Sequence, residues 1–150
     1  MRVFSGLDDF AAAVGEHLGY SEWHTVTQEQ VNTFADATGD HQWIHVDVDR
    51  AAAGPFGGTI AHGYLTLSLI PMLAAAIYRI DGITMGINYG LNKVRFPQPV
   101  PVGARIRGGA ELLEVTDVGP ATQSVVRWTI EIDGAAKPAC VAEMVARFTA

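Results

Sequence analysis

The C-terminal half of the chain alternates. Between positions 126 and 133, apolar Val126, Trp128, Ile130 and Ile132 take turns with Arg127, Thr129, Glu131 and Asp133, the period-two pattern of a strand with one face buried and one wet. Asp133-Gly134 is a turn pair and ends the run. The same rhythm passes through Cys140, Ala142, Met144, Ala146 and Phe148. Residues 84–96 and 104–118 are long enough to form two further strands, separated by PQPVPVG, whose prolines have no backbone N–H to give to a ladder.

The N-terminal half changes to a helical period. Ser5 stands three positions before Asp8, and Leu7, Phe10, Ala11, Val14 and Leu18 follow at helical spacing until Gly19 offers a stop, which predicts an amphipathic helix over 7–18. A short extended run at 22–26 leads to Thr27 and Gln30, spaced as a capping box ahead of Val31, Phe34, Ala35 and Thr38, with Gly39 closing the second helix. Asp40 therefore falls just beyond a helix end, in a loop whose direction is set by that glycine and by burial of Trp43 or Ile44. Residues 63–78, GYLTLSLIPMLAAAIY, carry no charge, and Thr66, Ser68 and Pro71 interrupt them. The run is too short for comfortable membrane insertion, and a helix apolar on nearly every side must be wrapped by other structure. A curved antiparallel sheet rolled around that helix is the economical arrangement, an α+β fold.

Composition agrees with one ordered domain over 1–150. Hydrophobic residues make up 49% and charged residues 17%, enough apolar surface for a single core without crosslinks. The lone cysteine, Cys140, cannot form an internal disulfide, and Asp8 and Asp9 stand where a secretory signal would have its apolar run; a reducing cytoplasm is the expected location. A net charge of −6 argues against sequence-independent binding to nucleic acid or anionic lipid. Four of the ten cations, Lys93, Arg95, Arg105 and Arg107, do fall close together. They make either a solvated strand face or a local patch for an anionic ligand.

Candidate chemistry gathers around GDHQWIH at 39–45. Three of the five histidines, His41, His45 and His62, occur here with Asp40, Asp47 and Asp49. A metal site is not expected: the segment follows a glycine stop and lacks a third well-spaced soft ligand. His41 reads as a loop residue, His17 and His24 as surface residues, and Cys140, among apolar neighbours, as core. GPFGGT at 54–59 lacks the lysine of a phosphate loop and reads as a tight turn before the apolar helix. Asp40 and His45 differ, because a constrained loop can bring both side chains to one water, a pairing able to take a proton from water and deliver one to carbon. The same two residue types also meet in ordinary hydrogen-bond networks. Gly63 opens the apolar helix, where unpaired N–H groups favour negative charge. It either admits a ligand oxygen or merely packs against a strand.

Two stretches, FADATGDHQWIHVDVDRAAAGPFGGTIAHGYLTLSLIP and NYGLNKVRFPQPVPVG, in this order and spacing, resemble the MaoC-like dehydratases, the group that contains the (R)-specific enoyl-CoA hydratases, and most closely their actinobacterial members. The resemblance covers nearly the whole chain. It implies the hot dog fold, a long helix enclosed by an antiparallel sheet, and a homodimer. It implies that Asp40 and His45 are the catalytic acid/base pair, that the Gly63 N–H serves as the oxyanion donor, and that the substrate is a trans-2-enoyl-CoA hydrated to an (R)-3-hydroxyacyl-CoA without metal or cofactor. His62, Lys93 and Arg95 are the expected substrate-binding residues, the two cations for the nucleotide phosphates. Gln42-Trp43 replaces the family's usual Asn-Pro, and Pro71 stands where some bacterial hydratases carry serine, with Ser68 nearby. Hot dog proteins also include acyl-CoA thioesterases, and a non-catalytic acyl-binding module would keep the pocket without the chemistry.

Overall fold

In the computed structural model, which describes residues 1–150, the chain opens with strand β1 (Arg2–Phe4) and helix α1 (Leu7–Ala12). Ser5 does not cap that helix as a capping box would; its N–H and Oγ–H both donate to Asp9, at 2.8 and 3.2 Å. The helix is also shorter than the 7–18 its periodicity predicts. Gly15, in the left-handed region at φ 90°, turns the chain into β2 (His17–Tyr20), so Leu18 is buried as a strand residue. Long-range pairing wins over local period here: the Gly15 N–H donates to the Leu112 carbonyl at 2.8 Å, and the Leu112 N–H donates back to Glu16 at 3.0 Å. Intrinsic helical preference is too weak to resist such a ladder.

A two-residue strand, β3 (His24–Thr25), precedes α2 (Gln28–Thr38). This helix starts and stops where its signals fall. The Thr27 side chain accepts from the Gln30 N–H, and Gly39 ends the helix at φ 80°, a conformation that would strain a residue carrying Cβ. Two short helices follow, α3 (Trp43–Val46) and α4 (Val48–Ala52), the second capped by Asp47. Helix α5 (Gly63–Ser68) continues through Leu69 into α6 (Ile70–Ile77).

The remaining strands are β4 (Tyr78–Ile80), β5 (Met85–Arg95), β6 (Arg105–Val118), β7 (Ala121–Ile132) and β8 (Cys140–Thr149). β1 and β4 form a small parallel pair, while the main sheet runs β2-β6-β7-β8-β5, antiparallel, with β3 added alongside β6. Register shifts at Leu112/Glu114 in β6 and at Asn88/Gly90 and Leu91/Val94 in β5 bend the strands, as bulges do. Leu73 of α6 seats against Gly108 of β6, beside Trp128; a Cβ on Gly108 would meet both at 3.3 Å. Helix and sheet thus share a single core of 24 buried residues centred on Trp128, Ile106, Ile130, Leu73 and Ile70.

The wrapping of α5 and α6 is one-sided. Leu65, Leu69, Ile70, Leu73 and Ile77 are buried, but Tyr64 is 72% and Met72 45% exposed. One chain's sheet covers only one face of this helix. Beside the open face lies edge strand β5, exposed along almost its full length, with Ile87, Tyr89 and Leu91 on its surface. No helix is long and apolar enough to cross a membrane.

Candidate active site

Asp40 is the first residue after the left-handed Gly39, and its carboxylate is 53% exposed. Oδ1 accepts a long bond from the Gln42 N–H at 3.4 Å, which turns the chain toward α3. His45 lies on that helix, 7% exposed. Its Nδ1 is 2.6 Å from the Ile60 carbonyl. A carbonyl oxygen can only accept, so Nδ1 carries the proton and Nε2 keeps a lone pair. The loop that supplies this carbonyl is itself tied down, because the Ile60 N–H donates to the Ile44 carbonyl at 3.0 Å.

A residue that the sequence did not single out completes the mounting. Gln28, in the first turn of α2, donates its side-chain N–H to the His45 carbonyl at 2.7 Å, while its Oε1 accepts from the Thr59 hydroxyl at 2.6 Å. One amide thereby joins three segments. These contacts span 17 and 31 positions, so no local pattern could have announced them.

His62 lies against the back of the pair, 3% exposed. Its Nε2–H donates to the Asp40 main-chain carbonyl at 3.0 Å, and its ring stacks on His45 with centroids 3.8 Å apart and planes inclined by 23°. Donor atoms of Asp40, His45 and His62 all lie within 4.8 Å of one another. The atom types suit a cation but the ring geometry does not. Zinc sits about 2.0–2.1 Å from an imidazole nitrogen, along its in-plane lone pair, and an ion shared by two nearly parallel rings this far apart would lie well out of both planes. A water spans such a gap readily, with hydrogen bonds of about 2.8 Å to each side.

A cleft of about 290 Å³ opens beside this pair, lined by His45, Phe56, Gly63, Thr66, Phe96 and Ala139 among others. Gly63 is the first residue of α5, and a Cβ there would meet the Phe96 ring at 3.2–3.3 Å. Close packing thus calls for glycine, and the same residue brings its backbone to the cleft wall beside His45. Asp40 and His62 are not part of that wall. Lys93 and Arg95 are not either: both are exposed on β5, and the Arg95 guanidinium donates to the Val94 carbonyl at 2.7 Å. β5 does lead directly into Phe96, so Arg95 sits one residue from the rim.

The other titratable candidates fall where their surroundings predict. His41 is exposed and bonds Asp36 at 2.9 Å; that contact raises its pKa. Burial pushes the Cys140 thiol up to about 11, which leaves it protonated and inert. In the 54–59 loop, Gly57 has φ 71° and turns the chain before α5.

The chain matches the MaoC like domain over residues 9–135. It is 60% identical to the 3-hydroxyacyl-thioester dehydratase Z of Mycobacterium tuberculosis, with 100% of both chains covered. It is 48% identical to nodulation protein N of Rhizobium leguminosarum bv. viciae, with 93% of this chain and 88% of that one covered. Among solved structures, the (R)-hydratase from A. caviae involved in PHA biosynthesis matches with a TM-score of 0.72 and 25% identity, covering 89% of this chain and 94% of that one. With its sheet, its helix and its clustered Asp40 and His45, the chain belongs to the MaoC-like dehydratases, hydro-lyases built on the hot dog fold.

Proposed function

We propose that the chain is an (R)-specific enoyl-CoA hydratase, adding water reversibly and with syn geometry across a trans-2-enoyl-CoA to give the (R)-3-hydroxyacyl-CoA. The observation that carries this reading is the approach of the Asp40 carboxylate to His45, whose Nε2 keeps a lone pair beside a cleft that Gly63 also lines. The (R)-hydratase and dehydratase names of the matching proteins support the same class.

In this mechanism Asp40 and His45 hold one water between them. The water oxygen attacks C3 of the enoyl thioester while the pair takes up its proton, and C2 receives a proton from the pair on the same face, so atoms and charge balance. Acid/base assistance of this kind contributes about 10²–10⁴-fold. Negative charge grows on the thioester oxygen and is met by the Gly63 N–H, a donor whose loss from an oxyanion site typically costs about 10²–10³-fold. The chemistry calls for no metal or redox cofactor. Lys93 and Arg95, three and one positions before the rim residue Phe96, are the cations for the nucleotide phosphates.

The enzyme acts as a cytoplasmic homodimer in this reading. A second copy would cover the exposed apolar side chains of Tyr64 and Met72 on the helix and Leu91 on the edge strand β5. Leu91→Asp should shift the dimer toward monomer in sedimentation velocity.

The functional test is a screen of enoyl-CoA substrates of increasing length, following loss of the conjugated double bond and assigning product chirality. Formation of the (R)-3-hydroxyacyl-CoA is the expected result. Release of free thiol with the double bond intact would make the protein a thioesterase, and tight binding with no turnover would make it an acyl-binding module.

A further inference from the structure

His62 holds a position that its expected part in substrate binding does not explain. It is buried away from the cleft wall, with Phe34 packed on it at 4.9 Å and His45 at 3.8 Å. Its Nδ1 has no partner. A buried polar atom without a partner is costly, and a phenyl ring would fill the same space without that cost. An imidazole here therefore needs another reason, and its remaining nitrogen supplies one: Nε2–H donates to the Asp40 carbonyl at 3.0 Å.

Asp40 needs such a tether. It follows the left-handed Gly39, its side chain faces solvent, and the Gln42 contact at 3.4 Å is long. The His62 bond ties it across 22 positions to the start of α5, one residue before Gly63. The His62 ring meanwhile forms the surface on which His45 lies. We infer that His62 is a positioning residue: by holding the Asp40 carbonyl from behind through its Nε2–H, with the ring serving as packing, it fixes the spacing of the two groups that share the water. This deepens the hydratase reading and rests on it.

The role belongs to a donor on a ring, so the two parts separate. His62→Phe keeps a ring against His45 and loses the donor; His62→Gln keeps an N–H within reach of Asp40 and loses the ring. Misplacing reacting groups by about 1 Å costs about 10²-fold. His62→Phe is therefore expected to lower kcat by about that factor with KM nearly unchanged, and His62→Gln to recover most of the loss. In an Asp40→Asn background His62→Phe should cost little further, because the residue it positions is already disabled.

A measurement on the wild-type protein needs no variant to fold. Nitrogen-15 NMR of the imidazoles should find His62 as the Nε2–H tautomer and His45 as the Nδ1–H tautomer. The opposite tautomer at His62, full kcat in His62→Phe, equal losses in Phe and Gln variants of native stability, or additive losses with Asp40→Asn would each overturn the inference. Wild-type hydration of an enoyl-CoA tests the underlying reading separately, since the tautomers do not depend on which substrate the protein turns over.

Discussion

The imidazole of His45 is anchored through Nδ1 to the main-chain carbonyl of Ile60 at 2.6 Å. One bond decides two things. It sets the ring's orientation, and it commits the proton to Nδ1, so that the lone pair on Nε2 is left for chemistry.

That anchor separates stability from catalysis at a single position. Asparagine has an N–H close to where histidine has Nδ1, so His45→Asn should keep the Ile60 bond, fold normally and lose activity. His45→Ala leaves the Ile60 carbonyl without its donor in a buried setting and should cost about 1–3 kcal/mol. Urea denaturation of both variants reads the difference. Equal destabilisation would mean that the bond contributes nothing.

Gly63 and Phe96 should be coupled. Gly63→Ala pushes a methyl to 3.2–3.3 Å from the Phe96 ring, while the backbone N–H of position 63 survives the change. The single variant should therefore lose activity, and adding Phe96→Ala should restore part of it, because the obstacle is the ring rather than a missing donor. Kinetics of the double-mutant cycle check this. Strictly additive losses would show that alanine harms the site in some other way.

These relationships differ in how far they were written along the chain. Thr27 and Gly39 bound their helix as their types require, and the alternation around Trp128 and Met144 located β7 and β8, since caps and pleats are local properties. Leu18 departs from its helical period because a sheet pairing more than 90 positions away, at Leu112, overrides it. The exposed face of α5 and α6 was equally hidden: an uncharged run does not say whether its own chain or a second copy covers it. At the site, the approach of Asp40 to His45 follows from a short loop, but Gln28, Ile60 and His62 act across 15 to 31 positions. Such contacts exist only once the fold brings the segments together.

Cys140 gives an alkaline signature. Burial raises its thiol from 9.0 to about 11, so in this interval the unfolded chain releases a proton that the folded chain keeps. The unfolded state then binds fewer protons, and stability must fall as pH rises. Denaturation across pH 9 to 11 should show that loss, with a shallower slope in Cys140→Ala. A thiol reagent near neutral pH should label the wild type only as it unfolds. Rapid labelling of the native protein would contradict this account of the thiol.

The central claim is that Asp40 and His45 act on one water. Single-turnover hydration of a short enoyl-CoA by Asp40→Asn, His45→Asn and the double variant tests it most directly. The account predicts losses of about 10²–10⁴-fold in each single variant, with melting temperature close to that of the wild type, and a double variant little slower than the worse single one, as residues acting as a unit behave. Near-normal turnover in either single variant, or losses that multiply in the double, would contradict it.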